Sequence, residues 1–308
     1  MLSRIAESLF WIGRYVERAD DTARILDAHL QLLLEDPWVE EDLACRSLLA
    51  VMGATAPAED VVVTRQDVLD TLAWDRTSPG SIAGSLTAAR ENARRAREVL
   101  SSELWEGLNT TWNALRRTTR WTPPEFFAWV RERAALVGGV VDATTPRDAS
   151  HQFLVLGRSI ERADMTARLI ATRAVAGSAA PGWTTMLRSC GAYEAYLRTY
   201  RGREADRLAA EFLLLDPSFP RSVVYSLMRA ESCLETLERG ARRRGEEDAR
   251  TVLGRIRSGL EYRPMLKLLG NLPEEMADVQ RACSEASDAI KLRYFPSGVS
   301  DDWIGDPW

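Results

Sequence analysis

The residues able to do chemistry are concentrated in a twelve-residue block that occurs twice. Gly13-Arg14-Tyr15-Val16-Glu17-Arg18-Ala19-Asp20-Asp21-Thr22-Ala23-Arg24 aligns with Gly157-Arg158-Ser159-Ile160-Glu161-Arg162-Ala163-Asp164-Met165-Thr166-Ala167-Arg168, nine of twelve positions being identical. On a helical wheel Gly13, Glu17, Asp20 and Arg24 fall within about 60° of one another beside an apolar stripe, while Arg14, Arg18 and Asp21 lie farther round on the polar side. The glycine removes a side chain where another backbone could approach, and Asp20 can pair with Arg24 one turn on. The same stripe recurs as Gly157, Glu161, Asp164 and Arg168. If the two stripes meet, Glu17, Asp20, Glu161 and Asp164 converge with arginines drawn from Arg14, Arg18, Arg24, Arg158, Arg162 and Arg168. Three chemistries fit such a cluster. It can be a structural ion-pair network kept for register, or a pocket whose arginines grip the carboxylate or phosphate of an anionic or zwitterionic ligand. It can also be a carboxylate-bridged di-metal centre. That design in helical bundles carries Glu-x-x-His where this chain has Glu-x-x-Asp, so neither a metal nor a cofactor is expected. As an active site, the cluster would use Glu17 or Glu161 as general base and Arg18, Arg24 or Arg168 as anion clamps.

A second set of candidates lies on Ser81–Glu98, where Arg90 and Arg97 form a ridge and Asn92 lines the edge of a core face. A further alignment, at an offset of 141, matches Leu72, Asp75, Pro79, Ser81, Ser85, Leu86 and Ala89 to Leu213, Asp216, Pro220, Ser222, Ser226, Leu227 and Ala230. It breaks at Arg90-Glu91-Asn92, which corresponds to Glu231-Ser232-Cys233, so any site there belongs to the first half only. The commoner outcome for such a ridge is a solvated arginine face.

The elements that must position these residues are helices. Ser3 can cap a helix running to about Glu35, stopped by Pro37, with Ile5, Leu9, Ile12, Val16, Ala19, Ala23, Leu26 and Leu30 on one stripe. Further helices are predicted at about 39–53, 65–75, 79–107, 109–120, 124–141, 147–175, 183–199, 203–215, 220–240, 246–259 and 273–292. Val61-Val62-Val63-Thr64 is the only β-branched run of note. The fold class expected is all-α: a tandemly duplicated multi-helix bundle with pseudo-two-fold symmetry, comprising residues 1–145, residues 146–295 and a tail at 296–308, in one compact unit. Trp11, Trp74, Trp105, Trp112 and Trp129 are expected as core or interface anchors, and Trp303 and Trp308 lie in the tail.

Composition narrows the function classes. The chain has 308 residues, 40 basic against 45 acidic, and a net charge of −5, the wrong sign for binding nucleic acid through counterion release. Arg242-Arg243-Arg244 reads as a short solvated run. Only Lys267 and Lys291 are lysines, and arginine suits buried bidentate pairing with carboxylates. Cys45, Cys190, Cys233 and Cys283 are scattered, as reduced buried thiols would be. Two histidines are too few for a His-based metal site or a Ser-His-Asp triad. A charged N-terminal segment and no apolar run of membrane-spanning length predict a cytoplasmic protein without a membrane partner. Neither a phosphate-binding glycine loop nor a hydrolase motif is present.

The stretch Met1–Asp20, the block Gly157–Arg168, and Ala89-Arg90-Glu91-Asn92-Ala93-Arg94 with Trp105 and Asn109 resemble the bacterial Alpha-E domain family, from residue 1 to about 295. That family is named for its helical character and its Glu-Arg motif, here Glu17-Arg18 and Glu161-Arg162. The resemblance implies genomic company: members are encoded beside, or fused to, a circularly permuted ATP-grasp ligase and a transglutaminase-like peptidase. The implied setting is peptide-like amide synthesis or tailoring. Two functions are therefore expected: a non-catalytic helical partner that binds the ligase or presents its substrate, or an enzyme acting on a peptide or amino-acid conjugate through a Glu/Arg-lined pocket.

Overall fold

The computed structural model describes residues 1–35, 38–115, 121–175, 182–203, 205–238 and 248–296. Among these residues the chain is helical, with no strand. Two long helices form its centre, α1 (Ser3–Glu35) and α7 (Ala149–Val175). They lie side by side and each is wrapped by three further helices. α1 packs on α4 (Ile82–Arg95), α6 (Pro123–Thr144) and α8 (Trp183–Ser189); α7 packs on α11 (Val223–Leu237), α14 (Leu272–Tyr294) and α2 (Glu41–Val51). α5 (Ser102–Ala114) bridges α4 and α6, as α12 (Ala249–Tyr262) bridges α11 and α14. The short helices α3 (Arg65–Leu69), α9 (Tyr193–Thr199), α10 (Asp206–Leu215) and α13 (Met265–Gly270) fill the periphery.

Enclosure of α1 explains why its wheel misleads. An amphipathic surface helix buries one stripe, but α1 is covered by neighbours on several sides. Arg14 and Asp21, expected towards the polar side, are therefore buried, as are Glu17 and Asp20.

Local chemistry sets the helix boundaries. The expected helix 79–107 breaks at Arg97–Val99, because Ser101 accepts a hydrogen bond from Leu104 N (3.1 Å) and caps α5 there. Residues 109–114 of the expected helix 109–120 are thus the later part of α5, and 116–120 lie outside the described residues. The expected helix 183–199 divides at Gly191, whose φ of +61° suits glycine and closes α8. Gly53, at φ +73°, closes α2 in the same way. The Val61–Thr64 run forms no strand: Val63 N donates to Asp42 Oδ1 (2.6 Å), and Thr64 caps α3.

All four cysteines are free and buried. Trp11, Trp74, Trp105, Trp112 and Trp129 are partly buried against the core, with Trp74 stacked on Phe126 at 4.3 Å. Arg242-Arg243-Arg244, Trp303, Trp308 and the remainder of 297–308 lie outside the described residues. Among those described, no helix is long and apolar enough to cross a membrane.

Candidate functional site

The two blocks meet at their glycines. A Cβ on Gly13 would overlap the Leu154 carbonyl oxygen and come within 2.9 Å of Arg158 N; one on Gly157 would overlap the Phe10 carbonyl oxygen and come within 3.2 Å of Arg14 N. No other residue type permits this backbone approach. It brings the Glu-Arg pairs into reach across the helix interface.

The pairing is reciprocal between helices. Arg162 Nε and Nη2 donate to Glu17 Oε1 (2.6 Å) and Oε2 (2.8 Å). Arg18 Nε and Nη2 donate to Glu161 Oε1 (2.5 Å) and Oε2 (3.0 Å). These two-pronged contacts match the planar geometry of guanidinium and carboxylate. Arg14 adds a third bond to Glu161 Oε2 (2.6 Å) and reaches Ser287 on α14. Burial acts to raise both glutamates, but Arg162 and Arg221 around Glu17, and Arg14 and Arg18 around Glu161, hold each carboxyl down to about 2.

The second aligned block receives the far ends of these arginines. Arg18 Nη1 donates to the Pro79 carbonyl (3.2 Å), and Arg162 Nη1 to the Pro220 carbonyl (3.3 Å). Ser81 and Ser222 build the two loops, each donating to a backbone carbonyl, of Asp75 or Asp216, and capping α4 or α11. Sequence reading found the Asp-Pro-Ser-Ser match and missed that it serves the Glu-Arg arginines.

The aspartates of the motif position the outer helices. Asp20 orients Arg24 (3.1 Å), whose Nη1 donates to the Ser189 carbonyl at the end of α8 (3.3 Å). Asp164 orients Arg168 (2.8 Å), which donates to the Val51 carbonyl at the end of α2 (2.6 Å). Each arginine thus satisfies an orphan carbonyl at the negative end of a helix dipole.

One side of the cluster carries an addition that sequence reading missed. Arg221 contacts Glu17 (3.0 Å), Asp20 and Asp21. Its aligned position is Gly80, and that of Asp21 is Met165. The available signal was this pair of departures between otherwise matching blocks. Glu17, Asp20 and Asp21 each offer an oxygen within 4.8 Å of the others, and the Arg221 guanidinium supplies the positive charge among them. Arg162 also holds Glu17 and Arg24 also holds Asp20, whereas Asp21 must share Arg221 with both of them. Burial, opposed by Arg221 and reinforced by Glu17 and Asp20, pushes Asp21 up to about 8, and its Oδ2 has no hydrogen-bond partner.

These groups give opposite pH limbs. Glu17 and Glu161 lie below their unfolded value of 4.5, so their stabilisation is full above that pH and is lost as pH falls towards about 2. Asp21 lies above its unfolded value of 3.8, so the folded state loses stability as pH rises between about 4 and 8. Asp21→Asn keeps an acceptor for Arg221 and removes the titration. Urea unfolding at pH 5 and pH 8.5 should show a smaller alkaline decline in the variant; equal declines would count against a retained proton on Asp21.

Arg158 differs from its counterpart Arg14. With Glu17 taken by Arg162 and Arg221, no hydrogen bond or ion pair reaches Arg158 among the described residues. Burial, helped by Arg162, lowers its pKa against the pull of Glu17 and Asp142. It lies beside Gly138, whose Cβ would stand 3.6 Å from its Nη1, and lines a cavity of about 280 Å³ between α1, α6 and α7.

The secondary candidates lie elsewhere. Arg90 sits over Trp112 (4.7 Å) and Trp105 (5.5 Å) and donates to Asn109 (3.3 Å). Arg97 covers Trp105 (5.6 Å), and Asn92 bonds the Ala88 carbonyl (2.8 Å). Asn92 and Arg97 line a separate open groove with Trp11 and Tyr15.

Fold and geometry define an all-helical protein built on two central helices that exchange Glu–Arg ion pairs. The chain belongs to the Alpha-E family, described as a predicted alpha-helical domain with a conserved ER motif, which matches residues 1–295. Its relatives include uncharacterized proteins of Mycobacterium bovis, 26% identical, and Mycobacterium tuberculosis, 25% identical; each match covers 98% of this chain and 38% of the relative. The chain therefore spans about two fifths of their length. No solved structure matches it.

Proposed function

We propose that this protein is a non-catalytic helical subunit of an ATP-grasp carboxylate–amine ligase system, binding the ligase or presenting its substrate for peptide-like amide synthesis or tailoring. The carrying observation is the state of Glu17 and Glu161. A general base must take up a proton near working pH, whereas these carboxyls are buried, gripped by arginines and held near 2. Their chemistry is used to join α1 to α7. The relatives support the same reading, since their matched segment belongs to chains more than twice as long. The ligase itself comes from the family resemblance. The matched neighbours of α1 and α7, together with the two aligned blocks, are read as a tandem duplication.

The purified protein should not turn over ATP alone, and adding it should change the ligase's activity or oligomeric state. Unchanged activity, with no complex on a sizing column, would end this reading. The alternative is an enzyme acting on a peptide or amino-acid conjugate, and Asp21, a buried carboxyl that keeps its proton to about 8, favours it. Product formed by the protein alone, and lost in a folded Asp21→Asn variant, would establish that alternative.

A further inference from the structure

We infer that the cavity at Arg158 binds a small carboxylate with a short aliphatic body, such as an amino acid or the C-terminal end of a peptide, with Arg158 as its anchor. The two halves differ around this arginine. On one side Gly80 supplies no side chain, and Arg14 stays on Glu161 and Ser287. On the other side Arg221 occupies Glu17, and α6 offers Gly138 and Gly139 at the cavity wall. Two departures thus leave Arg158 without a partner and leave space in front of it.

The charges select the ligand. Arg24, Arg131 and Arg162 also line the cavity, but Arg24 is held by Asp20, Arg131 by Asp27 (2.7 Å) and Arg162 by Glu17. Arg221 lines it too and is held by Asp20 and Asp21, so among the described residues Arg158 is the cavity guanidinium outside any ion pair, and its fork matches one carboxylate. Glu17, Asp20 and Asp142 share the lining, which disfavours a phosphate dianion. Ile12, Val16, Val137 and Val141 provide an apolar wall for an aliphatic arm. A volume of about 280 Å³ lies at the lower edge of the roughly 300–1,000 Å³ typical of drug-sized ligands.

Leaving a half-buried cation unpaired is unfavourable for folding, a cost that an anionic ligand in the cavity offsets. The resulting test separates binding from stability. Calorimetric titration uses L-leucine, the tripeptide Gly-Gly-Leu, its C-terminal amide and inorganic phosphate. The two carboxylates are probes of one chemistry, and the tighter of them identifies a free amino acid or a peptide end as the source. Arg158→Gln should weaken carboxylate binding by about thirtyfold or more while keeping, or raising, the melting temperature. Gly138→Leu, which places a side chain on Arg158 and gains helix propensity, should block binding in a folded protein. The inference is overturned if neither carboxylate binds, if the amide or phosphate binds as tightly, or if both variants bind like the parent. It stands or falls on direct binding, whereas the proposed function depends on a ligase complex.

Discussion

Glu161→Gln should lower the unfolding free energy by about 3–5 kcal/mol, the range for removing one partner of a buried ion pair. The substitution preserves shape and one oxygen acceptor but leaves Arg14 and Arg18 without their shared counter-charge. Both guanidiniums are largely enclosed, so water replaces the carboxylate poorly. The acid limb described for Glu17 and Glu161 should shrink in the same variant. As a control, Glu235 meets Arg250 at 3.5 Å on the surface, and Glu235→Gln should cost no more than about 1 kcal/mol. Urea unfolding followed by circular dichroism measures both. A loss below about 1 kcal/mol for Glu161→Gln would remove the ion-pair clamp as an account of the Glu-Arg motif.

Gly157→Ala should be comparably damaging, about 3 kcal/mol at the upper end of overpacking effects, although it adds only a methyl group. In an exposed helix the same change stabilises by about 1 kcal/mol. Here the new Cβ overlaps the Phe10 carbonyl oxygen and crowds Arg14 N, atoms that cannot turn aside as a side-chain tip would. α1 and α7 must separate, which also lengthens the contacts of Arg18 and Arg162. Gly139→Ala is the matched comparison, because a Cβ there meets nothing within 4 Å; it should raise the melting temperature. If Gly157→Ala also raised it, the glycine contact would not be what sets the helix spacing.

Much of this arrangement was legible in the repeated block. Gly13, Glu17, Asp20 and Arg24 were grouped by helical spacing alone, and the Asp20–Arg24 pair follows from being one turn apart. The roles of Arg14, Arg18 and Asp21 were not legible, since a wheel assumes one buried face and α1 is enclosed. Arg221 stayed hidden because its carboxylates lie 200 residues earlier, and only the exchange with Gly80, alongside Asp21 for Met165, betrays it. The open fork of Arg158 is one step further away, depending on Arg221, Gly138 and the course of α6 together. Helix ends were read poorly where a single residue decided them, as Ser101 and Gly191 did.

The crossed Glu17–Arg162 and Glu161–Arg18 pairs have a consequence for synthesis. While the first half of the chain leaves the ribosome, Glu17 has no Arg162, Arg18 has no Glu161, and the groove reserved for α7 is empty. The partners lie 143 and 145 residues further along the chain, so α1 emerges as an incomplete interface until α7 has been made. Contacts of such long sequence separation slow folding and prolong exposure of unpaired surface. Translation rate across Ala149–Val175, and chaperone occupancy while that helix is being made, therefore bear on yield more directly than either half's own helix propensity.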